Sequence, residues 1–262
     1  MKKALLLAVA FLVFIPLGLS AQSDTPSKGY YADSYARLSY LNGDVFVQRT
    51  SGLGTEKAEA NLALIQGDQL GTANGQAEVQ FGHQNYLRLD QNSKVKFALL
   101  PTQGNDRITI QVLEGNAYLR IGSLAREKAV EVDTPDASYY VLDEGLYRFN
   151  VSLNKQTEVL VFAGSLEAAG QAGSVMVRGQ ESLIASDGKM LGNPAPFTPR
   201  SDNFDQWNES RDALFAQKST PRHLPSELSD YEEELDQNGQ WTYEEPYGNV
   251  WVPYGIDNDW RP

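Results

Sequence analysis

Ile108-Thr109-Ile110-Gln111-Val112-Leu113-Glu114-Gly115-Asn116-Ala117-Tyr118-Leu119-Arg120-Ile121 alternates apolar and polar residues on both sides of one glycine. Alternation with period two marks a strand with one buried face. The parity changes at the glycine: Ile108, Ile110 and Val112 are even, whereas Ala117, Leu119 and Ile121 are odd. A straight strand would turn one of these sets to solvent. A two-residue X-Gly hairpin turn returns both to one face, because Val112 and Ala117 then oppose each other and the glycine supplies a positive φ. The pattern recurs in residues 38–47 around Asn42-Gly43 and in residues 159–168 around Ala163-Gly164. Together these units predict an all-β architecture: an antiparallel, hairpin-rich sandwich or solenoid-like domain.

Working outward, short strands separated by Gly, Asn and Asp fill residues 35–190, enough for one domain with a sizeable core. Ala77-Glu78-Val79-Gln80-Phe81 and Tyr86-Leu87-Arg88-Leu89 flank Gly82-His83-Gln84-Asn85 and predict a hairpin. Residues 94–99, 129–132, 139–142, 147–151 and 175–177 predict further strands. Residues 191–201 form a linker containing Pro194, Pro196 and Pro199. Residues 202–220 predict one amphipathic helix, with Phe204, Trp207, Arg211, Leu214 and Phe215 on its docking side and Ser201 or Asp202 as its cap. Residues 221–262 are expected to be an irregular, acidic, aromatic-rich tail, in which Tyr247-Gly248-Asn249-Val250-Trp251-Val252-Pro253 is loosely repeated from Tyr254-Gly255 to Trp260-Arg261-Pro262. The repeat stops in mid-pattern, as expected of a chain that naturally continues.

The first residues predict export. Met1-Lys2-Lys3 is a basic start, residues 4–17 are apolar, and Gly18, Ser20 and Ala21 offer small residues for cleavage, so residues 1–21 read as a signal peptide. Residues 22–34 then form a polar leader. Cysteine is absent, which excludes disulfides and an acylated N-terminal Cys. The expected location is the periplasm or the exterior, with no transmembrane anchor after cleavage. The net charge of −12 becomes about −14 when Lys2 and Lys3 are removed. Residues 202–262 carry 14 acidic and 4 basic residues against 20 and 16 in residues 22–201. That balance argues against nucleic acid as a partner, since phosphate binding needs clustered Lys and Arg.

Several short motifs now fall into order: Leu41-Asn42-Gly43-Asp44-Val45, Gly67-Asp68-Gln69-Leu70-Gly71-Thr72, Leu87-Arg88-Leu89-Asp90-Gln91-Asn92-Ser93-Lys94-Val95, and Leu113-Glu114-Gly115-Asn116-Ala117. They continue through Val132-Asp133-Thr134-Pro135-Asp136-Ala137, Phe162-Ala163-Gly164-Ser165-Leu166 and Val177-Arg178-Gly179-Gln180. In this order, over residues 38–190, they resemble the FecR domain of bacterial envelope proteins. Phe204-Asp205-x-Trp207, Arg211-Asp212 and the Tyr-Gly-x-Val-Trp-x-Pro unit resemble the tail of an uncharacterised family carrying that domain. The resemblance implies an all-β sensing or docking module, which in its best-understood setting is the periplasmic part of an anti-sigma regulator. The chain is expected to lack the regulatory output, because no helical segment precedes the apolar stretch. Glu144-Gly145 also replaces the family's usual Gly-Thr before the strand after Thr-Pro.

Little in the residues suggests catalysis. His83 and His223 are the two histidines, and no Gly-x-Ser-x-Gly elbow accompanies them. Asp143-Glu144, Glu232-Glu233-Glu234 and Glu244-Glu245 are read as solvated charge, and Asp257-Asn258-Asp259 lacks the glycine and terminal Glu of a calcium loop. We therefore expect a non-enzymatic protein with no metal and no cofactor. The candidate ligand-binding residues are Trp241, Tyr243, Tyr247, Trp251, Tyr254 and Trp260, rings interleaved with acids that suit an envelope protein partner or a glycan. The competing reading is that these rings pack the tail itself.

Overall fold

Strand β7 (Ile108–Ile121) runs unbroken through Gly115. The computed structural model describes residues 36–255 apart from 51, 53, 82–83, 102–104, 154–155, 200, 217–223, 225–230, 232–234 and 237. The predicted signal peptide and leader, His83, His223, Glu232-Glu233-Glu234, Asp257-Asn258-Asp259 and Trp260 lie outside the described residues. Val112 and Ala117 are both fully buried, as their parity required, yet they are not hairpin partners. Val112 faces Val95 of β6 (Lys94–Leu99), whereas Ala117 faces Leu89 of β5 (Asn85–Leu89) and Phe149 of β10 (Gly145–Ser152). The register on β6 slips between Lys94 opposite Glu114 and Val95 opposite Val112, which leaves Leu113 as an extra residue. A bulge with its glycine at φ 85° resets the parity and bends the strand.

The other X-Gly units are corners as well. β1 (Ala36–Gln48) and β4 (Gln69–Gln80) cross as a pair, with Gly43 opposite Gly75 and a register shift before Val45. β11 (Gln156–Ala163) pairs with β10 and β14 (Glu181–Ser186). After Gly164, β12 (Ser165–Gly170) pairs instead with β9 (Ser138–Val141) and β13 (Gly173–Arg178). The hairpin reading of these units is therefore corrected: each passes the chain between two ranks of strands over one core. A two-residue X-Gly hairpin does exist, at Asp187-Gly188, where φ of 50° and 79° joins β14 to β15 (Lys189–Met190).

The two ranks follow from the pairings within one 16-stranded sheet. The first comprises the start of β1, the end of β4, β5, the end of β7, β10, β11, β14, β15 and β16 (Ala195–Pro196). The second comprises β2 (Thr55–Lys57), the end of β1, the start of β4, β6, the start of β7, then β8 (Val130–Asp133), β9, β12 and β13. The short β3 (Ala63–Leu64) pairs with the start of β1. Inward-facing aliphatic residues of both ranks merge into a single hydrophobic cluster, and the rings of Tyr139 and Phe149 meet edge-on across it at 5.3 Å. The all-β expectation holds, and the hairpin predicted at residues 77–89 is present, with Ala77 opposite Leu89 and Gln80 opposite Tyr86.

Small polar residues pin the corners. Ser93 Oγ accepts from Asn116 N–H and donates to the Asn116 carbonyl, which holds residue 93 against the β7 bend. Asp68, fully buried beside the positive-φ Gly67, accepts from Arg49 and from the Thr50 and Ile65 amides. After the linker come α1 (Asn203–Ala216), β17 (Gly239–Glu244) and β18 (Gly248–Pro253). The last two form a separate two-stranded sheet, so the tail expected to be irregular contains a regular hairpin. No helix among the described residues is long and apolar enough to cross a membrane.

A Cβ at Gly115 would lie 2.4 Å from Ser93 Oγ and 2.5 Å from the Asn92 carbonyl oxygen. Gly115→Val should therefore destabilise by about 1–3 kcal/mol or more, through φ strain and this backbone clash. Gly43→Val and Gly164→Val should behave alike, since added Cβ atoms there meet Asn74 O and Tyr147 Oη at 2.3 Å. Denaturant midpoints unchanged from wild type would refute the corner geometry.

Candidate functional site

The outer face of the first rank carries a polar row where a sheet beneath a docked helix ordinarily carries aliphatic residues. Tyr40, Glu78, Arg88, Tyr118 and Arg148 stand directly opposite one another on β1, β4, β5, β7 and β10. Glu78, Arg88, Tyr118 and Arg148 alternate with core residues and so point away from the core, and Tyr40 joins them after the register shift that follows Leu38. Arg88 is nevertheless 0% exposed and Glu78 1%, because α1 lies over them.

Helix α1 begins with a reciprocal cap. The Asp202 carboxylate accepts from Asp205 N–H at 2.8 Å, and the Asp205 carboxylate accepts from Asp202 N–H at 2.9 Å. Asp202 was one of the two predicted caps. The same two acids then reach the sheet. Arg148 donates to Asp202 at 2.7 Å and to Asp205, and the Tyr118 hydroxyl also donates to Asp205. Farther along, Arg88 donates to Glu78 at 2.8 Å and to Asn208 and Asp212 at 2.6 Å each. Arg120 takes the other Asp212 oxygen at 2.8 Å, and Arg211 returns from the helix to Glu78 at 2.6 Å.

Aromatic rings fill the gaps between these pairs. Arg211 lies over the Tyr40 ring at 4.7 Å, and Arg148 lies between Tyr118 and Phe204 at 5.5 and 5.4 Å. Phe204 is buried, and Trp207 is half-buried against Tyr40. Leu214, expected on the docking side, is exposed, while Asp205 and Asn208 are buried. The predicted helix face therefore holds at Phe204, Trp207 and Arg211, which all meet the sheet, and is corrected at Leu214. The side chain of Phe215 lies outside the described residues, and Asp205 and Asn208 join the buried side over the arginine-bearing sheet. Burial opposes ionisation of Glu78, but the Arg211 hydrogen bond and the Arg88 charge outweigh it and hold the carboxyl below its usual range. Asp202 is also held low, burial being outweighed by the Arg148 hydrogen bond and the Asp205 amide. Burial pushes the Tyr118 hydroxyl up, and Asp205 beside it adds to the shift.

Of the predicted aromatic residues, Trp241, Tyr243 and Trp251 lie on β17–β18, Tyr247 in the turn between them and Tyr254 just after β18. This hairpin projects no strand into the large sheet, and Trp260 lies outside the described residues. Trp241 and Trp251 are direct cross-strand partners, so they share a face with Tyr243 and its partner Asn249. Trp251 donates to the Leu235 carbonyl at 2.8 Å, and its ring lies where a Cβ on Gly239 would be, 2.4 Å away. It therefore packs the hairpin. Tyr243, Tyr247 and Tyr254 are 67%, 80% and 59% exposed. Among the described residues no group of three His, Asp or Glu side chains could hold a metal ion. Asp143 accepts from Ser165 Oγ and Glu144 from the Leu124 amide, so this carboxylate pair serves local structure.

The family model described as FecR protein matches residues 68–167. That span includes Glu78, Arg88, Tyr118 and Arg148 but excludes β1, α1 and the tail. Two solved structures of a candidate anti-sigma factor from Parabacteroides distasonis are 12% and 11% identical to the chain, with TM-scores of 0.41 and 0.42. Each comparison covers 71% of this chain and 99% of the other, a likeness too slight to carry an argument. No curated protein matches the sequence.

A carboxyl held below its ordinary 4.5 contributes stability that is complete above that pH and is lost as pH falls through the depressed value. Thermal unfolding followed by Trp fluorescence should hold steady between about pH 7 and pH 5 and decline below about pH 4.5. Glu78→Gln should cost about 3–5 kcal/mol at neutral pH, since it leaves Arg88 and Arg211 under-compensated, and should flatten the acid decline. A wild-type midpoint that stays constant to about pH 3 would show that Glu78 adds no ionic stabilisation.

Proposed function

We propose that the chain is an exported, non-enzymatic envelope protein whose FecR-like β module serves docking or ligand sensing, with the β17–β18 hairpin as its contact element. The carrying observation is the exposure of Tyr243, Tyr247 and Tyr254 on a hairpin whose tryptophan Trp251 is already engaged in packing. Large rings left in water on a small, separate sheet offer contact area at little entropic cost, as binding surfaces do. The FecR match supports a place in signal transduction or sensing, and the basic, apolar start of the chain supports export to the periplasm or beyond.

A second reading, glycan binding, is favoured by one detail. The exposed Asn249 amide sits directly across from the Tyr243 ring, so that a sugar face could stack on the ring while the amide meets its hydroxyls. Trp260 belongs to either version of this surface only as a sequence expectation.

Two measurements separate the readings. A photo-crosslinking amino acid in place of Tyr247 in the full chain should yield a discrete protein adduct in intact cells if the docking reading holds. Retention on insoluble cell-wall glycan that is lost in Tyr243→Ala/Tyr247→Ala, with an unchanged melting temperature, would select the glycan instead. If neither adduct nor retention appears, the hairpin is not the contact element.

A further inference from the structure

The sheet face beneath α1 and the helix that covers it come from different parts of the chain. Glu78, Arg88, Tyr118, Arg120 and Arg148 all lie inside residues 68–167, the span matched by the FecR family model, and α1 lies wholly outside it. The two surfaces are complementary in charge. Three arginines and one glutamate on the sheet meet Asp202, Asp205, Asp212 and Arg211 on the helix. Among its described side chains the helix contributes one fully buried apolar group, Phe204, and the half-buried Trp207. Such an interface is held by paired charges and hydrogen bonds, where desolvation offsets much of the Coulombic gain. Its specificity is high because every acid has a defined partner, while its net free energy is limited.

We propose that this face is a docking surface for an acidic amphipathic helix, filled in cis by α1, so that α1 acts as an autoinhibitory plug. The surface is separate from the aromatic hairpin and goes beyond the function proposed above. Its partner is defined by chemistry: a helix with carboxylates spaced like Asp202, Asp205 and Asp212, an amide at the place of Asn208, and a ring at the place of Phe204. A partner helix gains access when α1 leaves, and its apparent affinity is reduced by the fraction of molecules in which α1 is seated.

The test uses the full chain and a labelled peptide of residues 201–216. Asp205→Asn/Asp212→Asn weakens α1 in cis and leaves the sheet face intact. Fluorescence anisotropy should show the peptide binding this variant at least about tenfold more tightly than wild type. A peptide carrying the same two Asp→Asn changes should not bind. Equal binding to wild type and variant would overturn the plug. So would absence of binding to a variant whose circular dichroism shows an intact β fold. If the double variant does not fold, a full chain with a protease site introduced at Thr198-Pro199 and cleaved after folding serves instead. Excess labelled peptide should then occupy the face in place of native α1, and failure to exchange would equally overturn the proposal.

Discussion

The corner at Gly115 is the constraint on which the remainder of the fold depends. A strand that supplies side chains to one core from two ranks must change parity where it turns, and L-residues resist the backbone conformation that does this in one step. At φ 85°, with Ser93 pressed against its missing side chain, Gly115 performs that change in the middle of β7. β7 is also the strand that touches β5, β6, β8 and β10. Its bend therefore sets the relation of both ranks, and the paired corner at Gly43 and Gly75 follows the same crossing one hairpin earlier. Closing a sheet over itself in this way buries the inner faces without requiring a second, independent sheet.

From that geometry follows the position of the polar row. Because Leu87, Leu89, Ala117 and Phe149 face the core, Arg88, Tyr118 and Arg148 must face outward, and the antiparallel registers place them side by side. With Arg120 beside Arg88 and Arg148, three arginines concentrated on one face would ordinarily sit in water. Here they lie under a helix, which makes β5 buried on both faces and commits α1 to an ionic interface. The reciprocal cap uses the same aspartates that pair with Arg148, so the start of the helix and its docking are fixed by one set of contacts.

Much of this was legible in the residues, and what was not has identifiable causes. The parity flip correctly signalled an all-β chain, but it has two geometric solutions. A hairpin and a bulge both return Val112 and Ala117 to one face, and only the pairing partners distinguish them. The genuine X-Gly hairpin at Asp187-Gly188 was inconspicuous because its second strand is only Lys189–Met190. The helix was legible through its cap and length. Its docking side was right for Phe204, Trp207 and Arg211 and wrong for Leu214. The stripe Asp202, Asp205, Asn208 and Asp212, itself at helical spacing, was passed over because apolar residues were given priority. The arginines at outward positions of adjoining strands were the signal that could have matched it. In the tail, the repeat identified the rings but could not tell that Trp251 faces Gly239 while Tyr243 and Tyr247 face water.

A polar interface also changes what separation of helix and sheet would entail. Had α1 covered an aliphatic face, its departure would expose an apolar patch, and the two parts would be obliged to fold and remain together. The face under α1 instead carries guanidinium and hydroxyl groups that water can solvate, although at a cost in lost pairing. The hydrophobic cluster lies between the two ranks and receives none of the helix's described side chains. The β module can therefore keep its core whether or not α1 is seated, which is the physical condition for one surface to exchange occupants without unfolding.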